Sequence, residues 1–322
     1  MANETVKNKG RHKLKLLLGM LLCICIYFTS QPNVEGEMTV HFIDVGQADA
    51  TLIVQDEYVM LFDTGTKKHS DKLVKYIQDL GITKINVVGV SHPHEDHTGG
   101  FVEILNNFEV EKVYGPDIFD IKDLDSKNWF NNMVDTIEHI DLERNKDIPE
   151  EEQTSIWHFP RNDAGEFAKF NIGNAVVEFY APLEDKYTDK NDYSICAKVT
   201  FGSIDIMLTG DATKSVEKAL IAEGYDLDIE IFQAAHHGSD TSNSEEFLEA
   251  MSPESIVISC GMKNKYDHPS KSVIEMYKEM NIPVYRTDES GNIVMTTDGS
   301  EYSFDKKPGT YTSGAEYKAE EN

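Results

Sequence analysis

The alternation of apolar and polar positions divides the first third of the chain into short strands and one helix. Residues 38–44 alternate between apolar and polar side chains, whereas residues 51–55 and 58–63 are mostly apolar. Both patterns are typical of strands in a layered sheet. The periodicity of residues 71–80 predicts a helix, and the apolar run 85–90 predicts a buried strand. This order of elements indicates a layered α/β or α+β domain.

The second half of the chain continues this order of strands and helices. Apolar runs predict strands at residues 175–180, 194–200, 204–208, 228–234, 255–259 and 283–286. Helical periodicity predicts helices at residues 215–223, 244–251 and 270–280. Residues 106–171 mix charged runs with isolated aromatic residues and are interpreted as an insertion that shapes a substrate pocket. Residues 305–322 are polar and are predicted to form a disordered tail.

The first 30 residues differ in pattern from the rest of the chain. Basic residues at positions 7–15 precede an apolar segment at residues 16–28, which is the pattern of a secretory signal peptide or a membrane anchor. This segment is shorter than the about 20 residues that span a bilayer, so cleavage and retention as an anchor both stay open. We therefore expect an extracytoplasmic protein that is secreted or anchored through residues 16–28.

The charge of the chain narrows the class of partner. The formal net charge is -27, and the five basic residues and one acid among residues 1–15 leave -31 on the remainder. Because nucleic-acid affinity comes largely from Lys and Arg neutralising phosphates, this charge opposes tight non-specific binding to DNA or RNA. It does not exclude catalysis on a phosphodiester, since bound metal ions supply local positive charge.

A dense group of histidines and acids follows the strand predicted at residues 85–90. The segment His92-Pro93-His94-Glu95-Asp96-His97 contains three histidines and two acids, and Thr98-Gly99-Gly100 follows it. Imidazole and carboxylate are ligands of zinc and its neighbours in the first transition row. The two glycines permit close approach of backbone before the next helical pattern. The segment therefore predicts a metal site, rather than a solvated histidine run.

Further candidate ligands follow two other predicted strands. Asp211 comes directly after strand 204–208, where one carboxylate could bridge two ions, although such an acid can also cap a helix. His236 and His237 follow strand 228–234, where paired histidines can also form an ordinary turn. His268 precedes a predicted helix, and a structural cap and a functional role are equally compatible with that position. Together these strand ends predict a dinuclear centre.

These motifs together resemble one family. His92-Pro93-His94-Glu95-Asp96-His97 resembles the HxHxDH signature of the metallo-β-lactamase-fold hydrolases, and Asp63 resembles that fold's supporting acid. Further motifs are similar to the hydrolase domain of the ComEC/Rec2 competence proteins and its stand-alone relatives: Asp44-Val45-Gly46-Gln47-Ala48-Asp49-Ala50, Asn191-Asp192-Tyr193-Ser194, Leu208-Thr209-Gly210-Asp211, His236-His237-Gly238-Ser239 and Tyr266-Asp267-His268-Pro269. The resemblance covers residues 38–304 and implies a four-layer αββα sandwich with metals at one edge.

The resemblance also implies roles for individual residues. It assigns six ligands to two ions: His92 and His94 to the first, Asp96, His97 and His237 to the second, and Asp211 as a bridge between them. His236 is then left to contact substrate, although His236 and His237 could exchange roles. Asp96 is a candidate proton acceptor, and His236 and His268 are candidates to stabilise the transition state or leaving group. Supporting roles fall to Asp63, Asp44, Gln47, Asn191 and Ser194.

The chain departs from the family pattern at two positions. Most members of the fold carry another histidine about 20 residues before the bridging acid, and here Asn191 stands near that position. Water, Asn191 or His158 are candidates to complete the first metal site. Ala48 replaces the glycine that is usual in its motif, which is expected to alter only how closely that loop approaches the site.

The function implied is that of an exported dinuclear metal-dependent hydrolase. Two divalent ions would activate a water against a phosphodiester, either nucleic acid or a small head-group ester. Zinc is the first choice of metal, and manganese and iron are alternatives because the same nitrogen and oxygen ligands suit all three. Two other functions stay open: a lactone or lactam hydrolase on the same fold, and a metal-stabilised binding or assembly module without catalysis.

Overall fold

The computed structural model describes residues 34–119, 121, 124 and 127–319. The predicted signal peptide or anchor at residues 1–30 lies outside this described part. Within the described residues, no helix is both long and apolar enough to cross a bilayer.

Two β-sheets contain the strands, which are numbered here in chain order. The first sheet has the order β15-β14-β1-β2-β3-β4-β5-β6. Its strands are β1 Met38–Phe42, β2 Thr51–Gln55, β3 Tyr58–Phe62, β4 Lys84–Gly89, β5 Glu109–Tyr114, β6 Trp157–His158, β14 Ile293–Thr297 and β15 Tyr302–Phe304. The second sheet has the order β13-β12-β11-β10-β9-β8-β7. Its strands are β7 Lys169–Ile172, β8 Ala175–Phe179, β9 Ala197–Phe201, β10 Ile204–Leu208, β11 Ile231–Gln233, β12 Ser255–Ile258 and β13 Val284–Arg286.

Helices cover the outer face of each sheet. The α-helices of the described residues are Ser70–Asp79, Glu95–Thr98, Phe101–Asn107, Asn128–Asn145, Lys214–Glu223, Glu245–Met251, Lys271–Glu279, Thr287–Ser290 and Gly314–Ala319. One apolar cluster joins the first sheet to three helices, with Leu73, Phe101 and Met133 in its core. A second joins the other sheet to its own helices, with Leu220 and Phe247 in its core. Burying an apolar stripe of each helix against a sheet is the main stabilisation of such layers.

The inner faces of the two sheets form the central core. Val40 and Phe42 of the first sheet and Phe201 and Ile206 of the second have no exposed surface. The Thr51 hydroxyl donates to the Gln233 side-chain oxygen across the sheets at 2.8 Å. The layers are therefore helix, sheet, sheet and helix, and the predicted αββα sandwich is confirmed.

Strand direction brings the predicted ligands to one edge of the sandwich. In the first sheet β4 runs parallel to β3 and β5, and in the second β10, β11 and β12 run parallel to one another. Parallel strands end at the same edge of their sheet, and the crevice outside their carboxyl ends is the usual ligand site of α/β folds. The segments after β3, β4, β10 and β11 carry the candidate site residues.

The structure differs at both ends from the insertion predicted for residues 106–171. Strand β5 pairs in parallel with β4 inside the first sheet, and β7 pairs with β8 in the second. In β5 the buried Val110 and Val113 stand among Glu109, Glu111 and Lys112, and the two glutamates are exposed. The buried positions do not follow a period of two, so this short strand looked like part of an irregular charged segment.

The structure also differs from the disordered tail predicted for residues 305–322, as far as residue 319. The guanidinium of Arg286 has no exposed surface and donates to the backbone oxygens of Thr310 and Thr312. Glu289 accepts hydrogen bonds from the Thr310 backbone and from the Tyr317 hydroxyl. A buried guanidinium is costly unless its donors are paired, so Arg286 fixes a segment whose own composition is polar.

Candidate metal centre

The histidine segment after β4 turns sharply into the short helix Glu95–Thr98. His92 and His97 are fully buried there. The two glycines that follow, Gly99 and Gly100, lie too close to neighbouring backbone for a larger residue. A Cβ at Gly99 would stand 2.4 Å from the Lys67 backbone nitrogen, and one at Gly100 would stand 2.3 Å from the Thr64 backbone oxygen. The two glycines therefore let the loop after β3 press against the histidine segment.

Asp63 follows β3 and orients the buried His97. Its carboxylate accepts hydrogen bonds from the Ser91 backbone nitrogen and the Ser91 hydroxyl, each at 2.7 Å. The same carboxylate lies 2.8 Å from His97 Nδ1. A carboxylate that accepts a hydrogen bond from Nδ1–H leaves Nε2 of the neutral ring as a lone-pair donor, which is the arrangement that surrounds metal-bound histidines. The supporting role implied for Asp63 thus has a physical basis.

Asp211 lies between the histidines that follow β4 and those that follow β11. Its Oδ1 is 3.1 Å from His97 Nε2, and its Oδ2 is 3.5 Å from Nε2 of both His92 and His236. The carboxylate is 2% exposed, and its backbone nitrogen donates to the Ser194 hydroxyl at 3.1 Å. One carboxylate oxygen thus faces His97 and the other faces both His92 and His236, and the resemblance implies that Asp211 bridges two ions.

His236 and His237 lie in a tight turn after β11 with φ angles of 51° and 56°. The left-handed backbone costs free energy for residues other than glycine and must be held by its surroundings. Asn243 holds it: its side-chain nitrogen donates to the Ala235 oxygen at 2.9 Å and to the Ser239 oxygen at 3.0 Å. One buried amide therefore joins the two ends of the turn.

The two histidines of this turn have different surroundings. His237 Nδ1 lies 2.9 Å from the Ser259 backbone oxygen and 3.3 Å from Asp49 Oδ1. Its Nε2 is directed toward Asp96 Oδ2, at 3.5 Å. His236 is partly exposed, and its Nδ1 contacts the Thr241 hydroxyl at 3.0 Å. The buried His237 thus faces Asp96, whereas the partly exposed His236 contacts Thr241.

The ligand atoms form two main groups that meet at Asp211. His92, His94 and Asp211 make one group, and Asp96, His97 and His237 make the other, with the donor atoms of each group within 4.8 Å of one another. Asp49 takes part in two further groups that share residues with these. One contains Asp49, Asp211 and His237, and the other contains Asp49, Asp63 and His97. Two of these four groups contain the residues that the resemblance assigns to the two ions.

Several buried side-chain nitrogen and oxygen atoms in and beside this cluster have no hydrogen-bond partner among the described residues. They include His97 Nε2, His237 Nε2 and Asp211 Oδ1, together with Asp49 Oδ1 and Asn191 Oδ1. His97 Nε2 and Asp211 Oδ1 are only 3.1 Å apart but are not aligned as donor and acceptor. Unpaired buried polar atoms are costly, and histidine and aspartate atoms that lie within 4.8 Å of one another are an arrangement that a bound cation satisfies. The residues present therefore fit divalent metal ions.

The charges of the cluster point to the same conclusion. Burial opposes ionisation of Asp211, but His97 and His237 outweigh burial and hold its pKa well below the usual value. Burial likewise opposes protonation of His97, but Asp211 and Asp63 outweigh burial and raise its pKa well above the usual value. Mainly through burial, the pKa of His92 is lowered well below its usual value. Buried ionised carboxylates require nearby positive charge, which His97 and His237 supply here and which a divalent cation would supply when bound.

Gln47, Asp44 and His268 lie at the rim of the centre. The Gln47 oxygen accepts from the Gly261 backbone nitrogen at 3.0 Å, and its amide nitrogen is 3.4 Å from His268 Nδ1. Asp44 accepts from the Gly46 backbone nitrogen and pairs with Lys72. Gln47 thus contacts a site histidine, whereas Asp44 stabilises the loop that carries Gln47.

Asn191 and His158 were both candidates to complete the first metal site. Asn191 is 8% exposed and lies in the 3-10 helix Lys190–Tyr193, directly before the Ser194 that holds Asp211. His158 lies at the end of β6 against the ring of Tyr114, with centroids 5.7 Å apart, and belongs to none of the groups of donor atoms. Position therefore favours Asn191 over His158.

The centre opens into a cavity of about 590 Å³. His94, Asp96, Asp211, His236 and His268 line its inner part. Burial lowers the pKa of His268 to about 4, and the His236 and His268 ring centroids are 5.5 Å apart. All three residues proposed for catalysis, Asp96, His236 and His268, thus face one cavity.

Sequence reasoning missed Asp49 and Asn243 as site residues. Asp49 is 3% exposed, and its carboxylate contacts His237. It stands in a motif that was recognised, so its place between Gln47 and the following strand was the available signal. Asn243 follows the His236 turn by several residues and resembles an ordinary loop residue, so the sequence carried no signal for its role.

The αββα layers and the cluster of histidines and aspartates at their edge define the class of metal-dependent hydrolase folds. The chain belongs to the metallo-beta-lactamase superfamily, whose family model matches residues 43–261. Members of this superfamily are generally hydrolases.

Two curated relatives bear out the resemblance to competence proteins. ComE operon protein 3 of Bacillus subtilis is 22% identical over 325 residues, which cover 95% of this chain and 38% of the relative. Competence protein ComA of Neisseria gonorrhoeae is 27% identical over 274 residues, which cover 84% of this chain and 34% of the relative. The chain thus spans little more than a third of the length of these relatives.

Two solved structures align with this chain at low sequence identity. The metallo-beta-lactamase fold protein YhfI of Bacillus subtilis aligns with a TM-score of 0.49 and 14% identity, covering 82% of this chain and all of that one. CmlA, a diiron beta-hydroxylase from Streptomyces venezuelae, aligns with a TM-score of 0.49 and 12% identity, covering 80% of this chain and 52% of that one.

Proposed function

We propose that the domain is a dinuclear metal-dependent phosphodiesterase. The observation that carries this proposal is the position of Asp211, whose two carboxylate oxygens face separate groups of buried histidines. His92 and His94 would hold the first ion and Asp96, His97 and His237 the second, with Asp211 shared. Asn191 would complete the first site through its buried, unpartnered oxygen. Zinc suits this donor set, as do manganese and iron.

The chemistry that such ions supply when bound is activation of water and neutralisation of negative charge at the attacked phosphorus. The chain contributes proton transfer and orientation. Burial opposes ionisation of Asp96, but His237 and His97 outweigh burial and hold its pKa well below the usual value, so it stays an ionised carboxylate that can accept a hydrogen bond from the attacking water. His236 and His268 face the same cavity, where each can donate to a developing negative charge on substrate.

Export is also part of the proposal. Its support is the basic stretch and apolar segment of residues 1–28, and the expected location is extracytoplasmic, either secreted or anchored. The acidic charge of the chain favours a small or locally bound substrate over long nucleic acid. Fractionation of cells that express the full chain tests this part, and recovery in the cytosolic fraction would contradict it.

The test of the hydrolase combines metal analysis with a substrate screen. Full-length wild type is expected to hold about two metal ions per chain and to hydrolyse a chromogenic phosphodiester. His94→Ala should lose about one ion and most of the activity, and Asp211→Asn should weaken both sites. His139→Ala is the matched control, because His139 is an exposed helical histidine outside the donor groups.

The other outcomes of this screen separate the alternatives. Full activity of His94→Ala would refute the dinuclear mechanism. Hydrolysis of lactones or lactams, but of no phosphodiester, would keep the metal centre and overturn the substrate class. Two bound ions without hydrolysis of any ester or amide would instead support a metal-stabilised binding or assembly module.

A further inference from the structure

The loop from Asn264 to Pro269 forms one wall of the cavity over the metal centre. It closes around the side chain of Asn264, which is 8% exposed. The Asn264 nitrogen donates to the backbone oxygens of Gly261 and His268, at 2.9 and 2.6 Å. Its oxygen accepts from the backbone nitrogens of Tyr266 and His268, each at 3.1 Å. Four hydrogen bonds to one side chain give this loop a single conformation.

The C-terminal segment supports the same loop from behind. The Gly314 backbone nitrogen donates to the Pro269 oxygen at 3.0 Å, and a Cβ at Gly314 would stand 2.5 Å from the His268 oxygen. Lys318 pairs with Asp267 at 2.5 Å. The loop is therefore held on its inner side by Asn264 and on its outer side by the helix Gly314–Ala319.

Tyr266 is exposed although its loop is fixed. Its side chain is 53% exposed and lines the same cavity as His94 and Asp211. The ring stacks against His268, with centroids 5.7 Å apart and planes inclined by 25°. A rigid, exposed aromatic ring beside a catalytic cavity is a ready stacking surface, since little conformational entropy is lost when it binds.

Lys265 supplies positive charge at this surface. Its Nζ lies 4.6 Å from the centroid of the Tyr266 ring. Lys265 is the only lysine or arginine among the described residues that line the cavity. The other lining residues are neutral, acidic or histidine. On a chain with a net charge of -27, a lysine at the mouth of an acidic centre is placed to pair with an anionic group.

We propose that Tyr266 and Lys265 form a subsite for a planar aromatic ester group of the substrate. The Lys265 ammonium would move from over the Tyr266 ring to pair with a phosphate oxygen, and the ring face that it leaves would stack on the aromatic group. The aromatic group is that of a nucleoside or of an aryl ester. This inference rests on the proposed phosphodiesterase function and names the class of diester that the same site prefers.

The position of Lys265 argues against a choline head group at this surface. An exposed aromatic ring can also bind a quaternary ammonium by a cation–π contact. Here such a ligand would stand next to the Lys265 ammonium, which already lies over the ring. Like charges in such contact repel each other, whereas a neutral aromatic ring stacks without that opposition.

The test uses three diesters that share the p-nitrophenyl leaving group and differ in the second ester. These are thymidine 5′-(p-nitrophenyl) phosphate, bis(p-nitrophenyl) phosphate and methyl p-nitrophenyl phosphate. Stacking on an aromatic side chain should lower KM for the first two relative to the methyl ester by roughly 5- to 100-fold. The KM ratio is the KM of the methyl ester divided by that of an aromatic diester. Tyr266→Ala should bring this ratio to one, and Tyr266→Phe should retain it. Lys265→Gln should raise KM for all three substrates.

The control and the contrary outcomes are defined by a second exposed tyrosine. Tyr58→Ala removes a tyrosine that is 41% exposed and lines a different cavity, so its KM ratio should equal that of wild type. An unchanged ratio in Tyr266→Ala would overturn the subsite. A KM ratio of methyl ester to aromatic diester that exceeds one for only the thymidine diester, or for only the aryl diester, would restrict the subsite to that group.

A binding measurement separates failure of the subsite from failure of the proposed function. Thymidine 5′-phosphate and methyl phosphate are titrated calorimetrically into full-length wild type and Tyr266→Ala. If wild type hydrolyses no diester but binds thymidine 5′-phosphate more tightly, and Tyr266→Ala loses that preference, the subsite holds and the phosphodiesterase proposal fails. Equal binding of both ligands by wild type would overturn the subsite.

Discussion

Asn243 offers a sharp test of how the fold positions the centre. Its side chain is 1% exposed and joins both ends of the turn that carries His236 and His237. Its oxygen accepts from the Tyr277 hydroxyl at 2.8 Å. In Asn243→Asp the shape and the acceptor for Tyr277 remain, but both donors are lost. A carboxylate oxygen would then face two carbonyl oxygens.

The expected loss follows from these contacts. Each net hydrogen bond contributes about 0.5–1.5 kcal/mol, and an unsatisfied buried group costs about 1–3 kcal/mol. Two lost bonds and the opposed oxygens together lower the free energy of unfolding by about 3 kcal/mol. Since the turn presents His237, metal affinity at the second site should fall as well, by roughly 10-fold or more.

Asn243→Gly separates the hydrogen bonds from the backbone conformation. Asn243 has a φ angle of 60°, which glycine adopts without strain, so the loss in this variant comes from its three side-chain bonds. Urea unfolding measures stability, and calorimetric titration with zinc measures the two sites. Both variants within about 0.5 kcal/mol of wild type, with unchanged zinc affinity, would refute the positioning role.

Three further predictions concern other parts of the molecule. Burial lowers the pKa of His41 to about 4, so the folded state resists protonation. Stability should fall by up to about 3 kcal/mol as pH drops from 6.5 to 4, and His41→Gln should remove that part of the pH dependence of urea unfolding. Gly314→Ala should lower the free energy of unfolding by about 1–3 kcal/mol in the same assay, because its Cβ would stand 2.5 Å from the backbone of His268. An unchanged urea midpoint would show that the C-terminal segment moves without cost and would contradict this prediction. Asp49→Asn should lower zinc affinity at the His237 site roughly 10- to 100-fold in calorimetry, whereas equal loss at both sites would contradict its assignment to His237.

The strands and the donor atoms were predictable from the chain because the signal for each is local. The apolar run before His92 predicts a strand, and a strand fixes where the next residues are delivered. Asp211 and His237 likewise follow apolar runs that became β10 and β11. Parallel pairing brings the ends of β10 and β11 together within the second sheet, whereas their proximity to the end of β4 depends on how the two sheets pack.

The supporting contacts were not predictable, because they join residues that are distant in the chain. Arg286 is a charged residue that the sequence places on a strand, yet it is fully buried, and besides pairing with the nearby Asp288 it donates to backbone oxygens 24 and 26 residues away. Tyr266 lies in a recognised motif, but its exposure depends on Asn264 and on the C-terminal helix. Pairing between remote segments depends on the packed structure and leaves no periodic pattern in the sequence.

The place of β1 in the first sheet sets a limit on how the domain can be trimmed. β1 lies between β14 and β2 and pairs with both over five residues each. A fragment cut to residues 43–261, the bounds of the family match, would lose β1, β14 and the Arg286 contacts together. The free side of β2 would then be an unpaired, apolar edge, which is a template for aggregation. A soluble recombinant fragment should therefore begin before Met38 and extend through residue 319.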